Sequence, residues 1–288
     1  MIEKFNRLLD DEQQLVLQMA ELYIHDPEKK LSISYLQSEL GVSRHQVLMA
    51  FDLLKDTVAS LNLKNIDLAY DGNIAMYGLT TSLLKQLLEE MALRSIRLNV
   101  FINSQLGIYG TQAQFTKRFG ISRATYYRNI MGIRQLFTEE IFNYRSLTEA
   151  RLRQGLFSVI HHFFNGIDGL PGEYRMEIPT VLEQICTDCG MCLKYTERKR
   201  LVNFAFVQAQ RIRQGHVLAE LADLSPVTTD DEGPDFGLLN QFWGLEDEDL
   251  RREKQYLTIY CRVNELLDFS IDQCCGPQLQ ERLQDLVD

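Results

Sequence analysis

One turn occurs twice in this chain, and it restricts the local fold more than any other feature. In YLQSELGVSRHQVLMAF (35–51) and QFTKRFGISRATYYRNI (114–130), a large apolar residue, Leu40 or Phe119, precedes a glycine. A β-branched residue follows, Val42 or Ile121, and then Ser-Arg. Five positions after the β-branched residue comes another large side chain, Val47 or Tyr126. Each element has a mechanical reason. Glycine accepts the left-handed backbone that ends one helix, and serine caps the next by accepting a backbone N–H bond. The branched residue fills the angle between the helices, and Val47 or Tyr126 holds the second helix against the first. Both stretches are therefore expected to be helix-turn-helix units, whose second helix presents its leading face outward, as in a helix that enters a DNA major groove.

The outward sets differ. In the second unit they are Ser122, Arg123, Ala124, Tyr127 and Arg128, with Lys117 and Arg118 on the preceding helix. Arginine can bond bidentately to guanine, while hydroxyls and lysines hold phosphates. In the first unit they are Ser43, Arg44, His45 and Gln46, with Leu48 and Met49 beside them. That face is half apolar. It could read a thymine methyl, and it could equally serve as a packing surface, since many three-helix units with a glycine turn bind only protein.

Around these units the pattern is helical, with Leu, Ile and Phe at three- and four-residue spacings. One amphipathic helix is expected over 4–25, a shorter one from Ser32 to Gly41, and a third from Ser43 to about Asn62. The stretch IDLAYDGNIAMY (66–77) instead alternates apolar and polar residues on both sides of Asp71-Gly72, a hairpin signal. Three helices followed by a hairpin make a winged helix. Helical periodicity then runs from Leu83 to about Phe142 and again from Leu147. The stretch DLSPVTTDDEGPDF (223–236) reads as an exposed acidic loop.

Composition enters through charge. The formal net charge is −10, which argues against a surface coated in basic charge for non-specific nucleic-acid binding. The charge is segregated, however. From Lys85 to Arg134 there are eight Lys/Arg against two Glu, whereas from Ile141 onward 15 basic residues face 24 acidic ones. The positive segment contains the second helix-turn-helix. No window of 18 apolar residues suggests a membrane span. MIEKFNRLLDDEQQ has acids where a signal peptide needs an apolar core. The six cysteines are thus expected to be reduced thiols in a cytoplasm.

Cys186, Cys189 and Cys192, in ICTDCGMC (185–192), fit the first three positions of a cluster-binding run. Position 196, where the fourth would fall, is Thr196. Core packing, a metal or cluster site, and a thiol redox sensor all remain open, with packing the plainest reading and no cofactor expected. No nucleophile triad, phosphate-binding glycine loop or paired-carboxylate motif stands out, so no enzymatic activity is expected. The run from Glu246 to Asp249 reads as a solvated helix start.

This layout resembles the Mga/AtxA-type bacterial transcription regulators, relatives of activators that carry phosphotransferase-system regulation domains (PRDs). FGISRATYYRNIMGIRQLF (119–137) is similar to that family's ISxxTLYRxIxxLxxxL signature. LTEARLRQGLFSVIHHFF (147–164) is similar to its GxExxIRxxxxxL segment, with Ser146-Leu147-Thr148 in place of the family's glycine ahead of Glu149. ERKRLVNFAFVQAQRIRQGHVL (197–218) is similar to a helix of the first PRD-like domain. Full members of that family extend past the point corresponding to residue 288, into a second PRD-like domain and a phosphotransfer-like domain. The resemblance implies that histidines of the PRD-like part accept phosphate from a phosphotransferase-system phosphocarrier. The candidates are His216, which follows Arg211 and Arg213, and His161.

The expected architecture is mainly α, with tandem winged-helix and helix-turn-helix domains, a small β-hairpin wing and an all-helical PRD-like domain. The expected domains are a winged helix over 1–79, a second helix-turn-helix over 80–144, and a PRD-like domain over 145–288 that includes the acidic loop. The expected function is cytoplasmic transcription regulation on double-stranded promoter DNA, by a homodimer, with RNA polymerase as a further partner. A protein–protein adaptor and a cysteine-based metal or redox sensor are the alternatives.

Overall fold

The computed structural model describes residues 5–26, 31–136, 148–167, 169–219, 234–264 and 266. The acidic loop lies mostly outside the described residues, as do Cys274 and Cys275. The fold is mainly helical, with twelve α-helices and one three-stranded antiparallel sheet among the described residues. None of those helices is long and apolar enough to cross a membrane. The backbone divides into two compact units. One comprises 1–104, 110–141 and 162–164, and the other 105–109, 142–161 and 165–288.

The first unit opens with helix α1 (Asp11–His25). The single helix expected over 4–25 is interrupted: Phe5 and Asn6 are helical, 7–10 turn, and α1 begins after Asp10, which serves two helices and holds the chain at that point. The Asp10 backbone N–H donates to Gln13 Oε1 at 3.2 Å. Its carboxylate meanwhile accepts from the Ile96 and Arg97 amides, at 2.8 and 3.0 Å. Those amides are orphan donors at the start of α5 (Ile96–Leu106), where a negative charge also complements the helix dipole. Helices α2 (Ile33–Leu40) and α3 (Arg44–Ser60) follow the expected caps, and α4 (Thr81–Arg94) begins two residues before the expected Leu83. Ser32 accepts from the Tyr35 amide, Ser43 from Gln46 and Thr80 from Leu83.

The hairpin between α3 and α4 pairs strand β2 (Asp67–Tyr70) with β3 (Asn73–Tyr77), Leu68 opposite Met76 and Tyr70 opposite Ile74. Asp71 and Gly72 make the turn, and the Asn73 amide donates to Asp71 Oδ1. A third strand, β1 (Leu31–Ser32), joins the other edge of β3. Two residues are too short to show any alternation, so the sequence carries no period-two signal for β1. Ile74, Ala75 and Met76 are all buried, and Tyr70 and Tyr77 are exposed. Beyond α5 come α6 (Gln112–Phe119) and α7 (Arg123–Leu136).

The second unit contains α8 (Glu149–Phe164) as far as His161, α9 (Glu177–Asp188), α10 (Tyr195–Arg213), a 3-10 turn (Phe236–Leu239), α11 (Asn240–Trp243) and α12 (Asp247–Val263). Helix α10 is buried on every side from Leu201 to Ile212, which marks it as the central element of this unit. Its Phe204 stacks on Tyr260 of α12 with ring centroids 3.7 Å apart. Phe157 of α8 meets both rings edge-on.

At the heart of this unit lies an ionic network. Arg153 and Glu253 are each fully buried and bond twice, at 2.6 and 2.9 Å. Arg153 also donates to Glu149 and to the His216 carbonyl. Glu253 also accepts from Gln208 and from the Leu218 amide. Burial alone would favour a neutral guanidine. The Glu253 carboxylate overcomes that, so the Arg153 pKa is raised.

Candidate nucleic-acid interface

The α6–turn–α7 unit is built as its local sequence dictates. Thr111 and Gln114 form a reciprocal capping box at the start of α6. Gly120 ends that helix at φ 63°, a left-handed conformation that costs a residue with a Cβ about 1–2 kcal/mol. Ser122 then caps α7 by accepting from the Thr125 amide at 3.0 Å. Phe115 is fully buried, and Tyr126 packs edge-on against it with centroids 5.3 Å apart. Phe119 stacks on the other face of the cluster at 4.4 Å.

Burying Tyr126 fixes the rotation of α7 and therefore what faces outward. Ser122, Arg123, Ala124, Tyr127 and Arg128 are all exposed, and so are Lys117 and Arg118 in the last turn of α6. The Arg123 guanidinium lies over the Tyr127 ring, 5.6 Å from its centroid, and the Tyr127 hydroxyl donates to Gln112 Oε1. These contacts order two side chains without covering them. Among the described residues, Arg128 and Lys117 form no ion pair. From Gln112 to Arg134 there are five basic residues and no acidic one. A surface of this kind can accept phosphate oxygens and base edges.

The first unit is assembled in the same way and presents a different face. Gly41 turns at φ 67° and Val47 is fully buried. Ser43, Arg44, His45 and Gln46 are exposed. Ser43 and Gln46, however, form a capping box, each side chain bonded to the other's backbone N–H, which occupies part of their polar capacity. Arg44 Nη2 donates to the Tyr70 hydroxyl at the hairpin tip, 3.3 Å away. Met49 is 42% exposed and Leu48 half-buried. Periodicity grouped Tyr70 with the apolar strand positions and so missed it as a surface partner of Arg44. Its place before Asp-Gly was the available signal, because a strand end at a turn faces solvent more often than its middle does.

The histidines are placed differently from the expectation. His216 is exposed, but the arginines thought to serve it are committed elsewhere. Arg211 is buried, pairs with Glu149 at 2.6 and 2.8 Å and donates to the Gln105 carbonyl. Arg213 pairs with Glu173. The reason is that both arginines already hold a carboxylate, although the Arg211 charge is still felt at His216. His161 is stacked on Phe157, and its Nδ1 is buried with no hydrogen-bond partner among the described residues. Burial pushes its pKa down, as do Arg200 and Lys199 nearby. The His216 pKa is likewise lowered, by burial and then by Arg211.

Cys186 is buried at the end of α9, while Cys189 and Cys192 are exposed. Among the described residues, no group of three or more His, Cys, Asp and Glu side chains is placed to hold a metal ion. Neither a scan of the chain against protein-family models nor a search of curated proteins returns a match.

Proposed function

We propose that this protein is a DNA-binding transcription regulator that engages promoter DNA chiefly through α7. The observation that carries this reading is the division of labour at one turn of that helix. Tyr126 is buried, while Arg123, Tyr127 and Arg128 beside it stand exposed on a surface with no acidic side chain from 112 to 134. In this reading α7 lies in a major groove, with Arg123 and Arg128 at base edges and Ser122, Lys117 and Arg118 at phosphates. Helices α1–α3 with the β2–β3 hairpin act as a winged helix on an adjacent stretch. Two modules on one chain gain affinity through effective concentration, so neither has to bind tightly alone.

The residues that resemble Mga/AtxA-type regulators fit the same proposal, with the second unit as a PRD-like regulatory part. Each of its two candidate histidines lies within the field of cations that could favour a phosphoryl group, Arg200 and Lys199 at His161 and Arg211 and Arg153 at His216. The exposed Met49 beside a tethered Arg44 favours a second role for the first unit, docking onto protein such as RNA polymerase.

The test is footprinting of the purified full chain on DNA from upstream of its own gene neighbourhood, across a salt series. Binding through phosphates gives a steep dependence on salt. Arg123→Ala or Arg128→Ala is expected to weaken binding by about 1–3 kcal/mol, roughly 5- to 150-fold. Unchanged affinity in both variants would show that α7 is not the reading helix.

A further inference from the structure

We propose that Cys186 and Cys189 form an oxidation site, which peroxide converts into a disulfide across the last turn of α9. The inference is independent of the DNA-binding reading. Cys186 lies in the final turn of α9 and Cys189 is its C-terminal cap. Helical bonding reaches Cys189, whose amide donates to the Ile185 carbonyl at 3.0 Å. Residues three apart on a helix have Cα atoms about 5 Å apart, inside the window of roughly 4.4–6.8 Å that disulfides occupy.

Closure also needs the Cβ atoms to approach from about 5–6 Å to about 4 Å. The helix end permits this. Cys189 has already left helical geometry at φ −94° and ψ 1°. Gly190 follows at φ 68°, and the chain turns back so that the Met191 amide bonds the Cys186 carbonyl at 2.7 Å. A turn ended by glycine can tighten without straining a Cβ. Cys192 lies beyond that turn, outside the helix.

Exposure assigns the order of events. Cys189 is exposed and meets the oxidant first, whereas Cys186 is only 7% exposed. The Cys189 thiolate attacks hydrogen peroxide, so an S–O bond forms, the O–O bond breaks and hydroxide leaves. The resulting sulfenic acid is attacked by the Cys186 sulfur, so that S–S forms and S–O breaks. The departing hydroxide takes the Cys186 thiol proton as water. Over both steps two thiols lose two electrons and one peroxide becomes two waters. Burial pushes the Cys186 thiol up, although Arg198 opposes this, consistent with a group that reacts second and only with a neighbour. Cys261, which adjoins Cys186 from α12, is fully buried and shielded from the oxidant.

The experiment treats the full chain with hydrogen peroxide, alkylates it with N-ethylmaleimide under denaturing conditions and maps peptides by mass. The three cysteines share one tryptic peptide, 176–194. It is expected to lose about 2 Da and two of its three alkylation sites, and to regain both after dithiothreitol. The Cys192→Ser variant should still form the link, whereas Cys189→Ser and Cys186→Ser should not. Loss of the link in Cys192→Ser, a cross-link to the peptide bearing Cys261, or irreversible oxides alone would overturn the assignment. Should Cys186→Ser fail to fold, the wild-type and Cys192→Ser maps still decide.

Discussion

Glu253→Gln is the substitution that probes the interior of the second unit most directly. The change is nearly isosteric and removes one buried charge. Glu253 accepts four hydrogen bonds, from Arg153 Nη1 and Nη2, Gln208 Nε2 and the Leu218 amide, at 2.6, 2.9, 2.7 and 3.0 Å. A glutamine can accept at one atom only, so its amide nitrogen would face donors. Arg153, fully buried, would keep Glu149 at 3.0 Å and the His216 carbonyl at 2.7 Å. Losing one partner of a buried ion pair costs about 3–5 kcal/mol. Because Glu149 remains, shared with Arg211, the lower end applies, about 3 kcal/mol. With a urea m-value of about 2–3 kcal/mol/M, the midpoint should fall by about 1 M. The chain has one tryptophan, and Trp243 is buried in this unit, so its fluorescence reports the relevant transition. A loss below about 1 kcal/mol would refute the claim that the pair is desolvated and mutually dependent. The double variant Arg153→Met/Glu253→Leu should recover most of the loss, since an apolar pair leaves no buried charge unpaired.

At Gly120 an added Cβ meets nothing within 4 Å, so Gly120→Ala isolates the backbone term. Chemical denaturation should show a loss of about 1–2 kcal/mol in the first unit. Acid sensitivity should appear in the second unit. The His161 pKa is lowered by burial, so the unfolded chain binds more protons once pH falls below about 6.5, and stability declines from there downward. His161→Phe should keep the stack on Phe157 and shrink the difference in Trp243 urea midpoints between acidic and neutral buffer. In DNA binding, Lys117→Ala should weaken all sequences about equally and flatten the salt slope, whereas Arg128→Ala should also relax base preference.

The helix-turn-helix units were legible because their determinants lie within about two turns of one another. Glycine, β-branched plug, serine cap and core anchor act locally, and Gly41, Gly120, Ser43 and Ser122 adopt the expected roles. The hairpin was legible for the same reason, through Asp71-Gly72. The break at 7–10 in the helix expected over 4–25 was missed because Asp10 is held by amides 86 and 87 residues away. No periodicity carries that information. That Arg211 and Arg213, beside His216, are each paired with a carboxylate was not legible, because their partners Glu149 and Glu173 are distant in the chain.

By itself the sequence determined the turns and caps of both helix-turn-helix units, where the hairpin turns, and that positive charge concentrates between Lys85 and Arg134. These follow from capping, backbone permissiveness and side-chain type, all of which act over a few residues. Only the tertiary structure decided which charged groups stay available. It buried Arg153, Arg211 and Glu253 in one network and left Arg123 and Arg128 on the surface. The physical reason is that desolvation depends on what packs against a side chain. For Arg153 that neighbour is 100 residues away.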